Sequence, residues 1–173
     1  MEELIEKAKK GQIDAYTKLI KSMEKDLYRI AYTKLKNNDD INDAIQNTML
    51  IIFKNIKKLR ENTYFKSWII KILINECNKI IKDNIKRNKI VEKSVDKLNT
   101  NITKNEGFEE FLNFNSIIAN LTSDEQLIFT LYYKDKFSCK EISKITKLKE
   151  GTIKSKLARG RDKIEKDLKK EVL

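Results

Sequence analysis

Not one of the 173 residues is proline and only four are glycine, so the chain has almost none of the residues that break helices or permit tight hairpins. Against that background Leu and Ile recur every three to four positions, the spacing of amphipathic helices, instead of alternating as they would along half-buried strands. An all-α fold follows. The length suits one ordinary domain or two small helical ones.

The periodicity is interrupted in few places. Leu4, Ile5 and Ala8 begin a short helix, which ends at Gly11 with Asp14 at the next start. From Ala15 a helix carries Leu19, Ile20, Met23, Leu27, Ile30, Ala31 and Leu35, and the polar turn Asn37-Asn38-Asp39-Asp40 stops it. Asp40 or Asn42 is positioned to cap a third helix carrying Ile41, Ala44, Ile45, Thr48, Met49, Ile52, Phe53 and Ile56. A fourth, from Tyr64 to about Lys86, follows the polar stretch Arg60-Glu61-Asn62-Thr63. Its apolar side is Phe65, Trp68, Ile69, Ile72, Leu73, Cys77, Ile80 and Ile81. Residues 94–107 mix Ser, Thr, Asn and Lys with few large apolar side chains, the composition of a tether. Helical spacing resumes at Phe108, and Thr122 or Ser123 caps a helix running to Tyr133. The expected organisation is a helical bundle over 1–88, a flexible linker over 89–112 and a second helical module over 113–173.

Charge narrows the partners. The formal net charge is +11, which favours polyanions such as nucleic acid or an anionic membrane surface. The surplus is concentrated: between Lys140 and Lys170 there are twelve Lys and Arg against five Asp and Glu. If about six phosphates were neutralised there, affinity would fall by orders of magnitude between low and moderate salt. Histidine is absent, which excludes His-based acid/base chemistry and His-ligated zinc. Cys77 and Cys139 lack metal-ligand spacing and read as reduced, half-buried thiols of a cytosolic protein. The first residues, MEELIEKAKKGQ, hold no signal-peptide apolar core, and no apolar run is long enough to span a bilayer. A soluble protein is expected. Neither a phosphate-binding Gly-rich loop nor a nucleophile–base set is present, so no catalytic centre, cofactor or metal is expected.

The basic segment also has a shape. Ile142 and Ile145 put an apolar stripe on a short helix, Leu148 enters a turn, and Ile153, Leu157 and Ile164 give a second helix its buried side. Two short helices around a turn of a few residues form a helix-turn-helix. The face left outside carries Lys154, Ser155, Lys156, Arg159, Arg161 and Lys163, cations and a small hydroxyl suited to a major groove. A merely solvated amphipathic pair is the competing reading.

Residues 150–161 read EGTIKSKLARGR, similar to the EGTVKSRLxRAR of region 4 in sigma factors of the extracytoplasmic-function (ECF) type, and the resemblance extends over 121–168. It implies reading of the −35 promoter element by Thr152, Lys154, Ser155, Lys156, Ala158, Arg159 and Arg161. Three of the departures from the pattern bear on the turn and on DNA contact. Lys147 stands where a turn glycine is usual, so a left-handed turn there costs about 1 kcal/mol. Ser143 replaces a small alanine, and Lys156 replaces an arginine, losing the bidentate fork.

The first module resembles the same family. Residues 43–49, DAIQNTM, are similar to the DlvQetF of region 2.2, which docks on the coiled coil of the polymerase clamp. The resemblance implies polymerase-core contacts by Asp43, Gln46, Asn47 and Leu50; a core helix with a polar back is the bland alternative. Residues 65–75, FKSWIIKILIN, resemble FrtWLyrIarN of regions 2.3 and 2.4, the part that opens the −10 element and holds a flipped non-template base. Asn62, Thr63, Tyr64 and Lys66 are the pocket candidates on that reading. Trp68, spaced helically with Phe65, Ile69 and Ile72, is expected in the core. Asn75, Lys79, Lys82, Lys86 and Arg87 repeat at three- and four-residue intervals as a basic stripe for the −10 duplex, or as a solvated face.

The resemblance therefore implies a cytoplasmic, non-catalytic specificity subunit, monomeric when free. Its partners would be core RNA polymerase (clamp coiled coil and flap), promoter DNA and an anti-sigma factor, commonly membrane-anchored, with no membrane insertion by the chain itself. Two other classes compete. A one-component helix-turn-helix regulator would bind operator DNA as a dimer, with no use for residues 43–49 and 65–75. A helical adaptor would carry its charge incidentally.

Overall fold

The computed structural model describes residues 1–88 and 106–171; of the linker expected over 89–112, residues 89–105 lie outside the described residues. The chain forms two compact units, Met1–Leu98 and Asn99–Leu173. Every regular element among the described residues is helical.

In the first unit α1 (Glu2–Lys9), α2 (Ile13–Lys34), α3 (Asn38–Asn55) and α4 (Phe65–Asn88) pack together, with tight turns at Ile56–Lys58 and Asn62–Tyr64 between the last two. Gly11 turns the chain from α1 into α2 at φ +87°, a conformation that favours glycine. Asp14 sits in the first turn of α2, where its charge suits the helix dipole, and the cap position itself is Gln12. The cap of α3 differs from expectation. Asn37, not Asp40 or Asn42, accepts from the Asp39 and Asp40 amides at 2.7 and 3.2 Å. Asp39 and Asp40 then provide first-turn negative charge.

The core joins Ile5 of α1, Leu19, Met23, Leu27 and Ile30 of α2, Ile41, Ala44 and Ile52 of α3, and Phe65, Ile69, Ile70, Leu73 and Cys77 of α4. Burial of Cys77 pushes its thiol up to about 12, so it behaves as a small hydrophobe, not the half-exposed thiol expected. The buried stripe of α4 also differs: Ile70 and Ile74 are inside, while Trp68, Ile72, Ile80 and Ile81 are half-buried. Because α4 packs against both α2 and α3, it buries a wider arc than a one-sided helix, and the arc is centred one residue along. Trp68 tilts against Phe65 with ring centroids 6.4 Å apart, at the edge of the core.

The second unit holds α5 (Glu106–Ile118), α6 (Ser123–Phe129), a π-helical turn over Thr130–Lys134, α7 (Cys139–Thr146) and α8 (Glu150–Glu171). Helix α5 starts inside the stretch expected as linker. Of the two expected caps, Thr122 is the one used: it and Ser138 each form a capping box, with Glu125 and Glu141 respectively. The helix expected to run to Tyr133 widens at its end, where the Asp135 amide donates to the Thr130 carbonyl five residues back at 3.1 Å. Ile118, Leu121, Leu127, Ile128, Phe129, Leu131, Ile142, Ile145, Ile153 and Leu157 fill the core. Ile164 is half-buried; Gly160 is the residue of α8 that presses inward, against the Phe129 ring.

Candidate nucleic-acid interface

The turn between α7 and α8 takes the conformation the sequence penalises. Lys147 has φ 64° and ψ 14°, left-handed backbone on a residue with a Cβ. Three hydrogen bonds hold it. The Lys147 amide donates to the Ser143 carbonyl at 2.9 Å, the Leu148 amide to Thr146 Oγ1 at 3.4 Å, and Ser143 Oγ to the Leu148 carbonyl at 2.6 Å. The last is available because position 143 is serine, not alanine. The two departures from the family pattern thus compensate each other.

On α8 the wheel sorts the expected contact residues into three groups. Ser155, Ala158 and Arg159 are exposed on the face opposite Ile153, Leu157 and Gly160. Lys154 borders that face and pairs with Glu150 at 2.8 Å, an exposed bridge of little energetic weight that phosphate could replace. Arg161 lies on the same flank and its Nη1 donates to the Tyr133 hydroxyl at 3.4 Å. Thr152 and Lys156 are half-buried on the opposite flank, with Lys163, which donates to the Asn120 carbonyl. The next turns along the outward face bring Asp162 and the Glu165–Lys169 pair at 2.6 Å. The surface poor in anions is therefore the first three turns of α8.

Helix α4 presents the second basic surface. Asn75, Lys79, Lys82, Lys86 and Arg87 are all exposed, and Lys71, unremarked in the sequence, extends the same row by one turn. Asn84 Nδ2 donates to Asp40 Oδ2 at 2.8 Å, which ties this end of α4 to the start of α3.

The loop before α4 separates its candidates. Thr63 and Tyr64 project outward, Tyr64 at 58 % exposure. Asn62 does not: its Oδ1 accepts from Lys9 Nζ at 2.6 Å and its Nδ2 donates to Glu6 Oε1 at 2.7 Å. Lys66 pairs with Asp26 Oδ2 at 3.0 Å, and Asp26 also holds Arg29 at 2.6 Å. Lys66 and Arg29 thus share one carboxylate within the unit.

Helix α3 shows a surface of different chemistry. Asp43, Gln46, Asn47 and Leu50 are exposed along one side, and Phe53 joins them at 54 % exposure. The sequence placed Phe53 with the buried set; the signal missed was its three-residue step from Leu50. Its ring meets Tyr16 edge-on at 5.1 Å, and the Tyr16 hydroxyl donates to the Met49 carbonyl at 2.5 Å. A polar row beside large exposed apolar side chains is the composition of a protein-binding surface.

Among the described residues no cluster of His, Cys, Asp or Glu could hold a metal, and no helix is long and apolar enough to cross a membrane.

Two family models match in chain order: sigma-70 region 2 over residues 19–87 and sigma-70 region 4 over residues 111–164. The ECF RNA polymerase sigma factor SigW of Bacillus subtilis (strain 168) is 24% identical over 185 residues, covering 95% of each chain. The RNA polymerase sigma factor SigV of the same organism is 23% identical over 150 residues, covering 87% of this chain and 89% of that one. Among solved structures, CnrH in complex with the cytosolic domain of CnrY aligns with TM-score 0.68 and 15% identity over 97% of this chain and 96% of that one. The sigma factor RpoE in complex with the anti-sigma factor NepR from Bartonella quintana aligns with TM-score 0.70 and 19% identity over 89% of this chain and 96% of that one. With both sigma-70 regions matched in order and relatives aligned over 87% and 95% of it, the chain belongs to the sigma-70 family, as a sigma factor of the ECF type.

Proposed function

We propose that the chain is a non-catalytic, cytoplasmic specificity subunit that joins core RNA polymerase through α3 and directs initiation at promoters read by α4 and α8. The observation that carries this division of labour is the segregation of chemistry. Two surfaces, the row from Lys71 to Arg87 on α4 and the first turns of α8, are cationic and suit phosphate. The third, Asp43 to Phe53 on α3, mixes exposed apolar and polar side chains and suits a protein partner.

On α8, Ser155, Ala158 and Arg159 meet base edges of the −35 element, and Lys154 exchanges Glu150 for a phosphate. Arg161, Lys156 and Thr152 serve the flanking backbone. On α4, Asn75, Lys79, Lys82, Lys86 and Arg87 follow the −10 duplex, and Thr63 and Tyr64 receive an unpaired base. Unstacking that base costs a few kcal/mol, which an exposed tyrosine face can partly offset. The clamp coiled coil is met by Asp43, Gln46, Asn47 and Leu50, with Phe53 added by the structure. Two structural neighbours were solved with partners, CnrH with CnrY and RpoE with the anti-sigma factor NepR, which supports an anti-sigma factor as a further partner. The modules are taken as 1–88 and, because α5 belongs to the second unit, 106–173.

Arg159→Ala tests the reading. Loss of a base-edge contact is expected to lower promoter-dependent transcription by roughly five- to a hundredfold while affinity for core polymerase is unchanged. Equal loss of both activities would contradict the assignment of α8.

A further inference from the structure

The loop that the −10 reading depends on is anchored by an element outside the matched family segment. The region 2 match begins at residue 19, whereas α1 spans Glu2–Lys9. This helix packs on both tight turns, Ile56–Lys58 and Asn62–Tyr64. Ile5 and Ala8 of α1 and Ile56 and Leu59 of the loop are buried, which supplies the apolar part of the contact. At its edge three side chains close a ring. Lys9 Nζ donates to Asn62 Oδ1 at 2.6 Å, Asn62 Nδ2 donates to Glu6 Oε1 at 2.7 Å, and Lys9 pairs with Glu6 at 3.3 Å. The Glu6 carboxyl is held below its usual range first by the Asn62 hydrogen bond and then by Lys9. Both ends of the Asn62 amide are engaged, and the next two residues, Thr63 and Tyr64, are the ones that project.

We propose that α1 is a positioning element for the −10 loop: Glu6 and Lys9 grip Asn62, and the grip fixes where Thr63 and Tyr64 stand to receive an unpaired base. This rests on the −10 reading given above and changes one part of it. Asn62 does not read the base; it is the anchor of the residues that do. A short loop without such an anchor would have to be ordered at the moment of capture, at a cost in affinity.

The test measures base capture directly. The probes are fluorescent non-template-strand oligonucleotides covering the −10 element of a promoter that the wild-type holoenzyme opens, one intact and the others abasic at successive positions. Wild-type holoenzyme is expected to prefer the intact strand over the strand lacking the captured base. Glu6→Ala and Lys9→Met are each expected to weaken binding of the intact strand about three- to tenfold, the worth of one lost hydrogen bond. Binding of the abasic strand stays as it was, so the preference collapses. Glu6→Gln, whose amide oxygen still accepts from Asn62, retains it. Thermal unfolding and core affinity are read alongside. Should Glu6→Ala loosen the unit, Asn62→Asp carries the same test, since it keeps the volume and the Lys9 contact but sets a second carboxylate against Glu6. Folded, core-binding variants that discriminate as well as wild type overturn the proposal. A wild-type holoenzyme that opens no promoter refutes the sigma reading itself, which is a separate result.

Discussion

Gly160→Ala is the substitution whose outcome the packing decides. On an exposed helix the change would stabilise by about 1 kcal/mol, because alanine is the better helix former. At this position the new Cβ would lie 2.5 Å from Phe129 Cε2 and 2.6 Å from Phe129 Cζ, with Leu121 Cδ1 at 3.6 Å. Those ring contacts are about an ångström inside ordinary van der Waals separation. The ring has nowhere to go: Phe129 is 2 % exposed and lies against Tyr133 at a centroid separation of 5.5 Å. Overpacking of this kind costs roughly 1–3 kcal/mol and exceeds the propensity gain. The second unit should therefore lose up to about 2 kcal/mol and its melting temperature should fall with it. Urea unfolding followed by far-UV circular dichroism measures the loss. Trp68, the one tryptophan of the chain, lies in the first unit, so its fluorescence transition serves as an internal control and should not move. Adding Phe129→Leu should remove the clash, leaving a coupling energy of about 1 kcal/mol or more between the two changes. A Gly160→Ala variant more stable than wild type by the bare propensity gain would show that Phe129 does not confine this position. The glycine also stands between Arg159 and Arg161, where the family pattern quoted above has alanine. A forced displacement of α8 would thus move both arginines.

Three further outcomes follow from the same structure. Leu50→Glu and Phe53→Glu, both at exposed positions on α3, should weaken core-polymerase binding about tenfold or more, as checked by anisotropy with labelled protein; Leu50→Glu should leave the unfolding transition unchanged, whereas Phe53→Glu also loses the edge contact with Tyr16 and should cost the first unit about 1 kcal/mol. Lys147→Gly should stabilise the second unit by up to about 1 kcal/mol in urea unfolding, because it relieves left-handed backbone, whereas Ser143→Ala should cost about 1 kcal/mol by removing the hydroxyl that spans the turn. The Glu141 carboxyl is held below its ordinary 4.5 by hydrogen bonds from the Ser138 side chain and backbone. Its contribution is thus present above pH 4.5 and lost as pH falls through the lowered folded value; Glu141→Gln should flatten that acid limb in urea midpoints taken against pH.

Much of this fold was legible because helices bury one stripe and the sequence repeats it. Leu19, Met23, Leu27 and Ile30, or Ile142, Ile145, Ile153 and Leu157, are buried as their spacing implies. What periodicity could not supply is the number of neighbours a helix has. Helix α4 meets two, so Ile70 and Ile74 went inside and Ile72 to the margin. Phe53 carries a core residue's chemistry on an outward position, and only the neighbouring Leu50, equally exposed, marks it as part of a surface. The cap of α3 shifted to Asn37 because any of several polar residues in that turn could have served. The role of Asn62 was invisible for another reason: its partners Glu6 and Lys9 lie more than fifty residues away, and no local pattern records such a contact. The polar rows on α4 and α3, by contrast, are local, and residue type at helical spacing was enough to place Lys79, Lys82 and Lys86 or Asp43, Gln46 and Asn47 outside; on α8 the same spacing left Thr152 and Lys156 half-buried, because the neighbouring helices cover that flank as well.

On this reading two cationic helical surfaces read promoter DNA while α3 is occupied by the polymerase. Mixing the purified chain with core RNA polymerase and a promoter library, then mapping transcript starts, tests it most directly. Core-dependent initiation from a discrete set of promoters sharing −10 and −35 elements is the predicted result. Association with DNA but not with core, and no new start sites, would contradict it.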